Sequence, residues 1–271
     1  MQEPKQEFDN VNLLWTGGWD STFQLLQLLV INKQQVTPFY LIHAQRPSTG
    51  LEILTMERIK EILIIKYPYT AELLKPTQFY SNYDLLPNQE ITKTYNRILK
   101  NKKFGIQYEW LARFCIEKGI TDMQIGCEKG INFSKNHWTN SVYPYLIENI
   151  INSNKIYTID PNHHDKDITD FFKHFQFPLA KLTKIKMAEI TKNQGLDSIM
   201  NITWFCHKPT CNQKPCGKCN PCLEVIENGM SWRLSINRNI ISFFYTNVFI
   251  KIKNLLRASL VTFGLYNRLK K

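Results

Sequence analysis

The chain lacks an apolar run long enough to cross a bilayer. The longest stretches, such as residues 240–250, are broken by Ser, Thr and Asn and fall short of the roughly 20 residues that a spanning helix needs. The N-terminal MQEPKQEFDN is polar and lacks the basic-then-apolar order of a secretion signal, so a cytoplasmic enzyme or binding protein is expected. Internal repeats are absent. Disorder is excluded by a composition that is 43% hydrophobic and 13% aromatic over 271 residues, enough for a full core. Acidic side chains are missing after Glu227, where eight Lys and Arg remain. What precedes carries 26 basic against 23 acidic residues, only +3 of the net +11. A nucleic-acid groove along the whole chain is therefore not indicated, and any basic partner surface belongs to the C-terminus.

What is present alternates between short β-like runs and longer helical patterns, as expected of a parallel sheet with crossover helices. Residues 11–15, 36–43 and 123–127 read as buried strands. Residues 21–30, 51–66, 107–118, 138–151 and 184–194 read as helices, with Gly119 placed to stop the third of these. Residues 80–104, with Pro87 and several Asn, read as an irregular excursion over one sheet edge.

The stretch LLWTGGWDST, residues 13–22, interrupts an apolar run with two glycines and then an acid and two hydroxyls. A strand ending at Trp15, a tight turn at Gly17 and Gly18, and a helix opening on Asp20, Ser21 and Thr22 make an anion cradle. Glycine lets phosphate oxygens approach the backbone, the helix N-terminus contributes partial positive charge, and the Thr16 and Ser21 hydroxyls add donors. Asp20 would repel a bare phosphate, which points to magnesium between carboxylate and phosphates. The bland alternative is a strand–helix connection capped by Asp and Ser with no ligand. No Gly-Lys-Ser/Thr follows the turn, so a P-loop is excluded.

Cysteines are concentrated. Cys206, Cys211, Cys216, Cys219 and Cys222 fall within 17 residues, whereas Cys115 and Cys127 stand apart. Such clustering favours metal over disulfides in a cytosolic chain. Cys216-Gly-Lys-Cys219 is a metal knuckle, Pro221 suits the start of a helix before Cys222, and Cys206 completes four thiolates for tetrahedral zinc, a closed structural site tying the C-terminal segment to the sheet domain. His207 and Cys211 are alternatives for the fourth ligand, and an iron–sulfur cluster on three cysteines is the other metal reading. His163 and His164 read as a polar surface loop rather than a metal site, Cys115 as core, and Cys127 as a residue near the ligand-binding edge of the sheet, where a catalytic thiol would lack an obvious base.

Thr16-Gly17-Gly18-Trp19-Asp20-Ser21 resembles the S-G-G-x-D-S signature of the PP-loop ATP pyrophosphatase superfamily, with threonine in place of the first serine. Further segments narrow the likeness. Phe104–Leu111 and Ile125-Gly126-Cys127-Glu128 are followed by Phe177-Pro178-Leu179 with Leu182-Thr183-Lys184, then Thr203-Trp204-Phe205-Cys206 and Cys216-Gly-x-Cys219-x-x-Cys222. This order is similar to the 7-cyano-7-deazaguanine synthase branch from about residue 13 to 227. The resemblance implies a Rossmann-like α/β fold, a parallel sheet with helices on both faces, followed by a small zinc module. It also implies ATP-dependent activation of a small-molecule carboxylate, then attack by ammonia or an amine. Asp20, Ser21 and Lys184 would be catalytic, with Lys184 facing pyrophosphate. The nucleotide would be held by Thr16, Gly17, Gly18, Asp20, Ser21, Thr22, His43 near the adenine, and Gly126. Two departures touch the substrate half: Ile106-Gln107-Tyr108 stands where the family has Arg-Asn, and its Y-P-D-C-R segment is not recognisable. An adenylating enzyme for another carboxylate, in a biosynthetic or defence pathway, and a non-catalytic nucleotide- or nucleic-acid-binding module are the competing readings.

The expected organisation is an ATP-binding domain over 1–200, a four-cysteine zinc module over 201–229 and a basic tail over 230–271. A homodimer is compatible with this organisation. In the tail, Ile241, Phe244, Tyr245, Val248, Ile252, Leu255 and Leu256 recur at three or four residues, with Arg233, Arg238, Lys251, Lys253, Arg257, Arg268, Lys270 and Lys271 among them. One reading packs this helix on the body; the other docks it on an anionic partner or surface, or on nucleic acid.

Overall fold

The computed structural model describes residues 10–43, 45–102, 104–129, 141–151, 154–252 and 255. The chain divides into two compact units, Met1–Trp204 and Phe205–Lys271.

In the first unit, Asn10–Leu14 (β1), Gln35–Ile42 (β2), Gln78–Ser81 (β3), Met123–Ile125 (β4) and Phe175–Gln176 (β7) form one parallel sheet in the order β3-β2-β1-β4-β7. It is a Rossmann-like α/β sheet. Strand order runs outward in one direction from β1 to β3 and in the other from β4 to β7. The gap between β1 and β4 is therefore the switch point where open α/β sheets bind ligands, at the carboxyl ends of the strands. Leu13 and Trp15 are fully buried. A second core is aromatic: Phe39 and Tyr80 pack on Phe114, and Phe172 meets Phe175 and Phe177. Buried amides also cross the sheet. Gln24 donates to Gln124 at 2.8 Å, and Gln124 to Gln176 at 3.3 Å, joining helix, β4 and β7.

Helix α1, Trp19–Leu26, begins two residues earlier than the sequence pattern suggests and runs on as a π turn, Gln27–Ile31. Helices α2 (Thr49–Lys66), α3 (Thr70–Leu73) and α5 (Gln107–Lys118) follow the first strands, and Gly119 ends α5 at φ +66°, a left-handed conformation that suits glycine. The stretch 80–104 is more regular than expected, because it contains α4, Gln89–Ile98. One of its Asn residues, Asn88, is the N-cap, accepting from the Ile91 N–H at 3.1 Å, and Ile91, Tyr95 and Ile98 form its buried stripe.

The helix expected over 138–151 is corrected. Residues 138–140 lie outside the described set, but Tyr143–Tyr145 is a single 3-10 turn and Leu146–Ile151 is a strand, β5, paired antiparallel with β6, Asn154–Ile159. Pro144 carries no N–H to continue a helix, and Ile147, Ile150 and Ile151 favour the pleated state. After α6, Lys166–Phe172, the chain passes through β7 to α7, Lys184–Asn193, and α8, Asp197–Asn201. Among the described residues no helix is long and apolar enough to cross a membrane.

The second unit contains α9, Asn220–Glu227, and α10, Ile236–Phe244, which continues through a π turn, Tyr245–Phe249. The tail expected from residue 230 thus begins inside this unit: Ser242 of α10 is buried and donates its hydroxyl proton to the carbonyl of Gly217 in the knuckle. Lys253, Arg257, Arg268, Lys270, Lys271 and Leu256 lie outside the described residues.

Candidate active site and metal centre

The turn after β1 is shaped by crowding. Gly17 has φ +66°, and a Cβ there would stand 3.1 Å from both the Glu52 carbonyl oxygen and Met56 Cγ. Glycine is required on both counts. Trp204 donates its N–H to the Gly17 carbonyl at 3.0 Å, so the Thr203-Trp204 segment braces the loop from behind. Gly18 caps α1 in an extended conformation without a side-chain acceptor. The positive end of the helix is thereby directed to the carboxyl edge of the sheet. The neighbouring strand contributes Gly126, where a Cβ would lie 2.8 Å from the Ser21 nitrogen and 3.0 Å from the Asp20 carbonyl carbon. The end of β4 and the first turn of α1 are therefore packed backbone to backbone.

Ser21 Oγ accepts from the Thr16 N–H at 3.2 Å and lies 3.3 Å from the Thr16 hydroxyl, so the two hydroxyls share the mouth of the turn. Thr22 is turned the other way. It is fully buried, its Oγ1 accepts from the Trp15 indole N–H at 3.1 Å, and its own N–H donates to Gly18 O. Of the loop residues expected at the nucleotide, Thr22 is a core residue. His43 follows β2 at the same edge of the sheet, its Nδ1 buried with no hydrogen-bond partner among the described residues.

Lys184 is the first residue of α7, after Thr183, whose hydroxyl accepts from the Lys186 N–H at 3.2 Å. A backbone bond of 2.8 Å from Lys129 N–H to Leu182 O ties this entry to the end of β4. The Lys184 ammonium then reaches Asp20 Oδ2 at 3.2 Å and Glu128 Oε1 at 3.3 Å, with all three side chains largely shielded from water. A lysine and an aspartate 164 positions apart thus meet at the switch point. Sequence reasoning missed Glu128. Its place directly after Gly126 and Cys127 was the available signal, but nothing in the spacing assigns it to the lysine.

Cys127 sits beside this group with its sulfur 3.2 Å from the Tyr108 hydroxyl. Burial pushes its thiol far up, and the Glu128 and Asp20 charges add to that. A neutral thiol is a poor nucleophile. Burial likewise pushes Cys115 up to about 12, as befits a core thiol. The His163 and His164 rings lie with centroids 4.2 Å apart, tilted by 31°, in a surface turn.

The donor set at the loop fits a nucleotide with magnesium: a backbone cradle, two hydroxyls, one carboxylate positioned at a helix N-terminus and one cation opposite. In the second unit, the sulfurs of Cys206, Cys216, Cys219 and Cys222 all lie within 4.8 Å of one another. Separations of 3.5, 3.8 and 3.9 Å occur among them. A tetrahedral zinc with bonds of about 2.3 Å places its sulfurs about 3.8 Å apart, so the set fits that ion. The Lys218 and Cys219 N–H groups both donate to Cys216 Sγ at 3.3 Å, and Cys216 N–H donates to Cys206 Sγ at 3.2 Å, so backbone donors orient these sulfurs and favour their charged form. The hydrogen bond with Cys219 pushes the Cys206 thiol up to about 12, whereas bonds from Cys206 and Cys222 draw Cys219 down. One thiolate can be held by its neighbours' protons; four require a cation. Cys211 is exposed and, with His207, falls outside the cluster.

A switch-point site on a parallel α/β sheet with a glycine turn, a helix-borne acid and an opposing lysine is the arrangement that the PP-loop resemblance leads one to expect. Residues 131–228 match the family model described as Queuosine biosynthesis protein QueC, which bears out the likeness to that branch of the PP-loop ATP pyrophosphatases and supports an ATP-using enzyme in general terms. The matched segment contains Lys184 and all four clustered cysteines, while the loop at Thr16–Ser21 lies outside it. No curated protein matches the chain.

Proposed function

We propose that the chain activates a small-molecule carboxylate with ATP, releasing pyrophosphate, and passes the activated acyl group to ammonia or an amine, with 7-carboxy-7-deazaguanine as the first candidate acid. The observation that carries this reading is the Lys184–Asp20 contact of 3.2 Å, because it joins the two halves of the resemblance at one point on the sheet edge. Gly17, Gly18 and the α1 N-terminus would receive the terminal phosphates, with the Thr16 and Ser21 hydroxyls as further donors. Asp20 would hold magnesium, which when bound supplies charge neutralisation between carboxylate and phosphates. Lys184 would stabilise charge on departing pyrophosphate, and Glu128, sharing its ammonium, would aim it. His43, at the edge beyond β2, would lie beside the base. In the second unit, zinc would hold Cys206, Cys216, Cys219 and Cys222 as a closed structural site.

A different carboxylate is the second reading. It is favoured by the substrate half of the sequence, where Ile106-Gln107-Tyr108 replaces the family's Arg-Asn and where Tyr108 is fully committed to the core beside Cys127. The test is incubation with ATP, magnesium, ammonia and 7-carboxy-7-deazaguanine, reading pyrophosphate and product mass. Pyrophosphate with a mass corresponding to amide or nitrile supports the first reading. Silence with that acid, but turnover with another carboxylate from a panel, supports the second; silence with every acid rejects both.

A further inference from the structure

Helix α10 is inverted with respect to the usual packing of an amphipathic helix. Its buried residue is Ser242, and the close approach it serves is marked by Gly217, where φ is +77° and a Cβ would stand 2.8 Å from the Arg238 carbonyl oxygen. The large apolar side chains are on the other side. Ile236 is 78% exposed, Phe243 62% and Ile252 51%, with Ile240, Phe244, Val248 and Phe249 also exposed. Ile236, Ile240, Phe243, Val248 and Ile252 are spaced by four, three, five and four residues. That is one continuous helix face with a single π turn inside it, and the π turn falls at Tyr245–Phe249, where the five-residue step occurs. Without that turn the residues after it would rotate by about one residue's worth, roughly 100°, off the face.

Charge identifies the occupant. From Met230 to Lys271 there are eight Lys and Arg and no acid, the last acids being Glu224 and Glu227 of α9. A face of isoleucine and phenylalanine in a segment without a single acid, on a helix that among the described residues is not long and apolar enough to span, matches the requirements of an interfacial helix lying in an anionic headgroup layer. We propose that α10 and its continuation to Ile252 dock the protein on an anionic lipid surface, with Phe243, Phe244, Phe249 and Ile252 entering the acyl boundary and Lys251 meeting the headgroups. Docking of this kind is independent of which carboxylate the first unit activates.

The experiment is flotation of the full, zinc-loaded chain with vesicles of phosphatidylcholine alone and of phosphatidylcholine with equal phosphatidylglycerol. The protein should float with the anionic vesicles and not with the neutral ones. Phe243→Asp should reduce the bound fraction, and Lys251→Glu should lower partitioning roughly tenfold or more; both should retain zinc and melt as the parent does. If Phe243→Asp loses zinc, Lys251→Glu decides. Equal flotation with both vesicle types, or with neither, overturns the proposal. So does a dimer that Phe243→Asp splits in the absence of vesicle binding, because a second copy would then be the occupant. Retention of a nucleic acid without flotation overturns it equally.

Discussion

The two candidate centres of this protein are built in opposite ways. The cysteine cluster draws its four sulfurs from 17 consecutive positions, so a short segment has little choice but to bring them together once a cation is present. The site at the sheet edge draws Asp20, Glu128 and Lys184 from three separate parts of the chain, and only the parallel sheet brings the two carboxylates to 3.2 and 3.3 Å from the ammonium. A local centre depends on its ion, whereas an assembled centre depends on the register and packing of the whole sheet. The first should fail by losing metal, and the second by small displacements of backbone.

The largest effect is expected where the assembled site is cut. Asp20→Ala or Lys184→Ala should lower pyrophosphate release by roughly 100-fold or more, in line with loss of a preorganised charge at a reacting phosphate. Circular dichroism should be unchanged. Wild-type release from either variant would remove the sheet edge from the chemistry.

Next comes the local centre. The purified chain should contain one zinc per molecule, and Cys222→Ser should lose it, whereas Cys211→Ser should keep it because Cys211 is exposed and apart from the cluster. Structural zinc is worth about 10 kcal/mol or more to a small module, so chelation should unfold α9 and α10 and raise proteolysis there. Iron with visible absorbance, or zinc retained by Cys222→Ser, would break the assignment.

A smaller and more diagnostic change is Gly126→Ala. The added Cβ meets backbone at 2.8 Å rather than a movable side chain. It should cost about 1–3 kcal/mol by overpacking and impair activity without touching the zinc. Urea titration and metal content, measured together, separate the two centres. An alanine variant with parental stability and activity would show that the close contact is dispensable.

The smallest effect concerns the β5–β6 hairpin. The Lys155 ammonium at 2.8 Å and the Tyr157 hydroxyl at 2.8 Å hold the Glu148 carboxyl down at about 2. Its folded value lies below its unfolded one, so the contribution is fully present above the ordinary glutamate range and is lost as pH falls from there through about 2. The melting temperature should drop more steeply below pH 4.5 in the parent than in Glu148→Gln. Parallel acid profiles would rule this contact out as a contributor.

By itself the amino-acid sequence determined what depends on near neighbours: the strand–glycine–helix turn at Thr16–Ser21, the stop at Gly119, and the cluster of four cysteines. In each, the physical cause lies within a few residues, in φ freedom, capping or ligand chemistry. Tertiary structure decided the rest. It gave Thr22 to the Trp15 indole instead of the loop mouth, because the side of α1 that carries the hydroxyl faces the core. The helical pattern expected to run to 151 gave way to a hairpin strand over 146–151 because β6 was available as a partner and Pro144 stopped the helix. Glu128 joined Asp20 at Lys184, a meeting that no spacing encodes. The sheet also made glycine compulsory at 126, since what crowds that position is the backbone of Asp20 and Ser21, more than a hundred residues earlier in the chain.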